Sequence, residues 1–94
     1  MLKLSWGKRA FKIFVNQWRW EGDNVGSKAA ETLRSNVAKA LIKIQKMPTI
    51  GKLRKQSGDK TYRLISTHPK SALYYWHNDK EIRIVRFIIA LRQK

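Results

Sequence analysis

The chain has 94 residues, 43% hydrophobic and 29% charged, and contains no cysteine. That length and balance describe one globular domain over residues 1–94 with a small single core, and exclude a disulfide framework, a zinc–thiolate centre and a cysteine nucleophile. Lysine and arginine number 21 against 6 aspartate and glutamate, a net charge of +15, where roughly 2–8 keeps a small domain soluble. The excess points to a phosphate-bearing or acidic partner. No apolar run reaches the ~20 residues of a bilayer span. The opening MLKLSWGKRAF lacks the apolar core and cleavage site of a signal peptide. A cytoplasmic location with no membrane partner is expected.

In chain order, Leu2, Leu4 and Trp6 alternate with Lys3 and Ser5, which predicts a short strand. Ser5 is placed to cap a helix from Trp6 to about Trp20. Ala10, Phe14 and Trp18, with Phe11 and Val15 beside them, form its apolar stripe. Gly22, Asp23, Asn24 and Gly26 predict a turn. A second helix follows, capped by Asp23 or Ser27. Ala30, Leu33, Val37, Ala40, Leu41, Ile44 and Met47 recur at spacings of three and four, and Pro48 ends the helix. The short turn predicts an antiparallel helical hairpin.

Residues 51–60 are expected to be a basic loop carrying Lys52, Arg54, Lys55 and Lys60. Tyr62 to Thr67 and the aromatic-rich Ser71 to His77 are predicted strands, joined by a His68-Pro69-Lys70 turn. Asn78-Asp79 signals a two-residue hairpin. Glu81 to Leu91 starts by alternating and ends as a continuous apolar run, which predicts a central strand buried on both faces. The expected fold class is α+β, in the order β-α-α-β-β-β, with a two-helix hairpin on one face of a small antiparallel sheet.

The six carboxylates stand at turns and element ends, where caps and hairpins use them. No paired acid–base carboxylates, Gly-rich phosphate loop or metal motif is present, so no metal or cofactor is expected. What remains is a basic and aromatic surface. Lys52, Arg54, Lys55, Arg63, Arg83, Arg86 and Arg92 could converge on one sheet face, hold phosphates, and stabilise charge developing at a scissile phosphate. Tyr74, Tyr75 and Trp76 alternate across their strand, so one of their faces is core and the other could stack a base. His68 and His77 read as turn residues.

Four stretches together resemble the RelE/ParE family of bacterial toxins, the plasmid-stabilisation proteins of type II toxin–antitoxin modules. LKLSWGKRAFKIF is similar to the family's first strand and helix. AAETLRSNVAKALIKIQKMPTIGK is similar to its second helix, with Pro-x-x-Gly at Pro48 to Gly51. YRLISTHPKSALYYWHNDKEIRIVRFI resembles its later strands, and Ala90-Leu91-Arg92-Gln93 its arginine–glutamine ending. The resemblance implies a growth-inhibiting toxin neutralised by an acidic antitoxin. RelE-type members are metal-independent, ribosome-dependent mRNA endonucleases, and ParE-type members poison DNA gyrase. Arg63 falls where the RelE pattern has a catalytic lysine, and Arg92 where it has an arginine. Ile65 and Ala72 replace a lysine and an arginine of that pattern, and the sequence stops at Lys94 before its C-terminal tyrosine. The expectation is therefore a ParE-like gyrase binder. A RelE-like nuclease using Arg63 and Arg92, or a non-toxic basic nucleic-acid-binding domain, is the alternative.

Overall fold

The computed structural model describes residues 2–68 and 71–89. Eight elements follow in chain order: β1 (Lys3–Trp6), α1 (Lys8–Asn24), α2 (Ser27–Lys46), a single 3₁₀ turn (Pro48–Ile50), β2 (Lys52–Ser57), β3 (Lys60–His68), β4 (Ser71–His77) and β5 (Glu81–Ile89). The strands form one sheet in the order β1-β5-β4-β3-β2. All neighbours are antiparallel except β1 and β5, which run parallel, so the sheet is mixed. The fold is α+β, with both helices on one face of five strands. The other face carries no layer of described residues.

The core follows from the two periodicities. On α2, Ala30, Leu33, Val37, Ala40 and Ile44 are buried, at helical spacing. They meet Leu73 and Tyr75 of β4 and Ile82, Ile84 and Phe87 of β5. Trp6 of β1 lies 5.5 Å from both Phe11 and Phe14 of α1, and Phe14 lies 5.5 Å from Phe87. This aromatic chain seats α1 across β1 and β5. Leu41 packs at the edge of the core, and Met47, expected on the same stripe, is exposed.

Several expectations are corrected. Residues 52–57 are not a loop but the edge strand β2. Every residue in it is exposed, so it lacks the apolar alternation that marks a strand. Gly58, at φ 63°, makes the first central position of its two-residue hairpin to β3, where glycine suits a type II′ turn. Ser5 does not cap α1. Gly7 N–H donates to the Ile84 carbonyl at 2.7 Å, so strand pairing runs on to Gly7, which becomes the N-cap. The same helix continues to Asn24 through residues expected to turn, and Gly26 rather than Asp23 or Ser27 is the N-cap of α2.

Nor is β5 buried on both faces. A bulge leaves Val85 unpaired, since Tyr75 pairs with Ile84 while Tyr74 pairs with Arg86. The bulge shifts the alternation by one residue. Ile82 and Ile84 face the helices before it, and Phe87 and Ile89 after it. The two phases read as one apolar run in the sequence, although Arg86 and Ile88 are exposed on the outer face. The β4–β5 connection has three residues rather than two. Asn78 Oδ1 accepts from the N–H groups of Lys80 and Glu81, both at 2.9 Å.

Ile44 is fully buried between α2 and the sheet. Ile44→Ala is expected to cost about 2–5 kcal/mol by denaturant unfolding, and Leu41→Ala less, because Leu41 already borders solvent. Equal losses at both positions would contradict this packing.

Candidate functional site

The sheet register sorts the basic residues onto two faces. Tyr75 is buried beneath α2, and Arg63 pairs with it in the sheet. Arg63 therefore emerges on the helix side. Its Nε donates to His77 Nε2 at 3.0 Å, and one terminal nitrogen donates to the carbonyls of Gly51 (3.0 Å) and Thr49 (3.4 Å). Beside it the Tyr75 hydroxyl donates to the Pro48 carbonyl at 2.6 Å and accepts from Gly51 N–H at 3.0 Å. Arg63, Tyr75 and His77 thus clamp the segment between α2 and β2. Burial raises the Tyr75 pKa despite the lowering effects of the Gly51 N–H and the Arg63 charge. The phenol stays protonated, as its bond to Pro48 requires.

His77 accepts from a permanently charged guanidinium through Nε2, so its ring is neutral with the proton on Nδ1. Burial first, and the Arg63 charge second, push its pKa below the usual histidine value.

The outer face carries a different set. One cross-strand row reads Lys55, Tyr62, Trp76, Arg83 and Ser5, and the next reads Lys52, Leu64, Tyr74 and Arg86. A bulge at Arg54 brings Lys52 and Lys55 to the same face. Tyr62 and Tyr74 stack at 5.6 Å. Lys55 Nζ lies 5.1 Å from the Tyr62 ring centre, and Lys60 Nζ lies 4.7 Å from that of Trp76. Arg83 donates to Ser5 Oγ at 3.3 Å. The ring faces attract the ammonium groups and hold their positions over the sheet.

Of the residues singled out in the sequence, Lys52, Lys55, Arg83 and Arg86 share the outer face. Arg54 is exposed at the bulge, Arg63 is on the opposite face, and Arg92 lies outside the described residues. Arg63 is separated from the others because it is one residue out of phase with Tyr62 and Leu64. Lys60, Tyr62, Leu64, Tyr74 and the buried Trp76 complete the outer face. Alternation along 60–64 and 74–76 carries that information once the hairpin before it is known. Among the described residues, no cluster of three or more His, Asp or Glu is arranged to hold a metal, and no helix is long and apolar enough to cross a membrane. Comparison with protein-family models gives no match, and comparison with curated proteins gives none.

Two outcomes test the clamp. Tyr75→Phe is expected to cost about 1–3 kcal/mol, because it strands the Gly51 donor and the Pro48 acceptor. Gly51→Ala is expected to destabilise as well, since a Cβ there would lie 2.7 Å from the Tyr75 oxygen and 3.0 Å from the Leu64 carbonyl oxygen. Unfolding midpoints unchanged in both variants would refute the clamp.

The lowered His77 pKa fixes a pH dependence. Folded His77 binds a proton less readily than the unfolded chain, so its contribution is complete above the ordinary value of about 6.5. The contribution is lost as pH falls from there through the lower folded value. Urea midpoints of the wild type should drop more between neutral and mildly acid pH than those of His77→Gln. Parallel pH curves would show that the imidazole is not held neutral.

Proposed function

We propose that this chain is the toxin of a type II toxin–antitoxin module of the RelE/ParE kind, that it acts by binding DNA gyrase in the cytoplasm, and that an acidic antitoxin neutralises it. The placement of Arg63 carries the choice of a binder over a nuclease. Metal-free RNA cleavage needs fixed positive charge free to reach the scissile phosphate. Arg63, the strand-borne candidate, instead points to the helix side, where its Nε and one terminal nitrogen are engaged with His77, Gly51 and Thr49. Among the described residues, the outer-face cations Lys52, Lys55, Arg83 and Arg86 have no carboxylate or histidine in their cross-strand rows, and the carboxylates of Asp59 and Glu81 lie toward the hairpin tips. A helical hairpin on a mostly antiparallel sheet supports the resemblance drawn from the sequence, and the +15 charge suits fast, salt-sensitive capture by an acidic partner.

Induced expression in a bacterial host tests this reading. The expected result is growth arrest with a DNA-damage response, intact messages by primer extension, and loss of supercoiling activity when purified protein is added to gyrase. Codon-phased message cuts would instead assign the RelE-like endonuclease, and unimpeded growth would remove the toxin reading altogether.

A further inference from the structure

We propose that the cavity between the turn of the helical hairpin and the sheet binds a small amphipathic cation, a primary ammonium carried on a flat apolar body. The cavity lies where the end of α1 and the start of α2 meet the start of β4 and the end of β5. Its volume is about 420 Å³, a size that suits a small organic ligand. Gln17, Leu33 and Phe87 line it and are each more than nine-tenths buried, so they form its floor. The exposed Trp20 and Val25 stand at its rim. Glu21, half-buried, is the charged residue in its wall.

The state of the polar groups selects this ligand. Both hydroxyls in the wall are committed within the protein: Thr32 donates to the Lys28 carbonyl at 3.0 Å, and Ser71 shares a hydrogen bond with Thr67 at 2.8 Å. Gln17 Nε2 donates to Glu21 Oε2 at 3.0 Å. That bond spans one helical turn and fixes the carboxylate beside the floor. A carboxylate has about four acceptor positions, and Gln17 takes one. The chain holds 21 lysines and arginines, yet among the described residues none lines this cavity and none stands in the last turn of α1. Among the described residues the ion pair is Arg34 with Glu31, not one at Glu21. Glu21 therefore borders an apolar cavity with its charge uncompensated by any described side chain. A neutral guest would strip water from the carboxylate without replacing it, and an anion would be repelled. A bare metal ion would find one carboxylate among apolar walls instead of the ring of oxygens it needs. An ammonium on an apolar body satisfies the carboxylate and the walls together. The chain's surplus cations act from the surface and are screened beyond about 8 Å at physiological salt. The inference goes beyond the toxin reading and stands apart from it: amine binding and growth arrest can each be lost without the other.

Phenethylamine, phenethyl alcohol and hydrocinnamate share an aromatic body and differ in charge, and titrating each into isotope-labelled protein, followed by backbone amide NMR spectra, tests the proposal. Phenethylamine should saturate with a Kd at or below about 1 mM, with the largest shifts at Gln17, Glu21, Leu33 and Phe87. The alcohol should bind at least about tenfold more weakly, since it lacks the charge-assisted bond to Glu21. Hydrocinnamate should leave the cavity amides in place. Glu21→Gln keeps the shape of the wall and removes its charge, so amine and alcohol should then bind within about twofold of one another. Ala29→Leu fills the cavity from α2 and should weaken both. The same spectra establish that each variant is folded, and Ala29→Leu carries the test should Glu21→Gln fail to fold. The absence of saturable shifts with phenethylamine would overturn the proposal. So would equal binding of the three probes, amine binding unchanged in Glu21→Gln, or shifts centred on Tyr62 and Tyr74 of the outer face.

Discussion

The hydroxyl of Tyr75 is the constraint on which the rest of the molecule depends. It reaches from the middle strand of the sheet to the end of α2 and holds the backbone at Pro48 and Gly51. Those two contacts decide where the second helix stops and where β2 begins. Burial of a phenol is costly unless its oxygen is satisfied, and here both its donor and acceptor capacities are met. Arg63 reinforces the same segment from the neighbouring strand, and the neutral imidazole of His77 accepts its third bond. A strand arginine that looks functional in the sequence is thereby a fastener for the chain.

The clamp also explains how one chain presents two different faces. The helix side is closed by α2 and sealed at its end by Tyr75 and Arg63. The outer side is open, and its residues are chosen by the two bulges at Arg54 and Val85. Each bulge inserts one residue and moves everything beyond it to the other side of the sheet. Without the Arg54 bulge, Lys55 would stand on the helix side. Without the Val85 bulge, Arg86 would face the core and Phe87 the solvent. The cation rows therefore owe their alignment to two local irregularities.

Those irregularities set the limit of what the sequence reveals. The helical stripe from Ala30 to Ile44, the stop at Pro48 and the alternating strands 62–67 and 71–77 are legible, because burial on one side imposes a period. Residues 52–57 carry no such period, since β2 is an exposed edge whose pairing partner is its only constraint. The parallel union of β1 with β5 is likewise silent, for it depends on residues 78 positions apart. For the candidate site, the cations were legible as residue types, and Lys52, Lys55 and Arg86 do share a face. The reversal of Arg63 was not, because its phase relative to Lys55 and Arg86 is fixed only when the bulges are known.

That parallel union has a consequence for synthesis. Lys3 through Trp6 leave the ribosome 78 residues ahead of their strand partner, Glu81 through Ile84. Contacts this distant in the chain form late and close slowly. Until β5 emerges, the helical hairpin lacks Ile82, Ile84 and Phe87 beneath it, and Arg83 and Arg86 have not yet joined the outer rows. The nascent polypeptide thus carries its positive charge well before it carries an ordered surface.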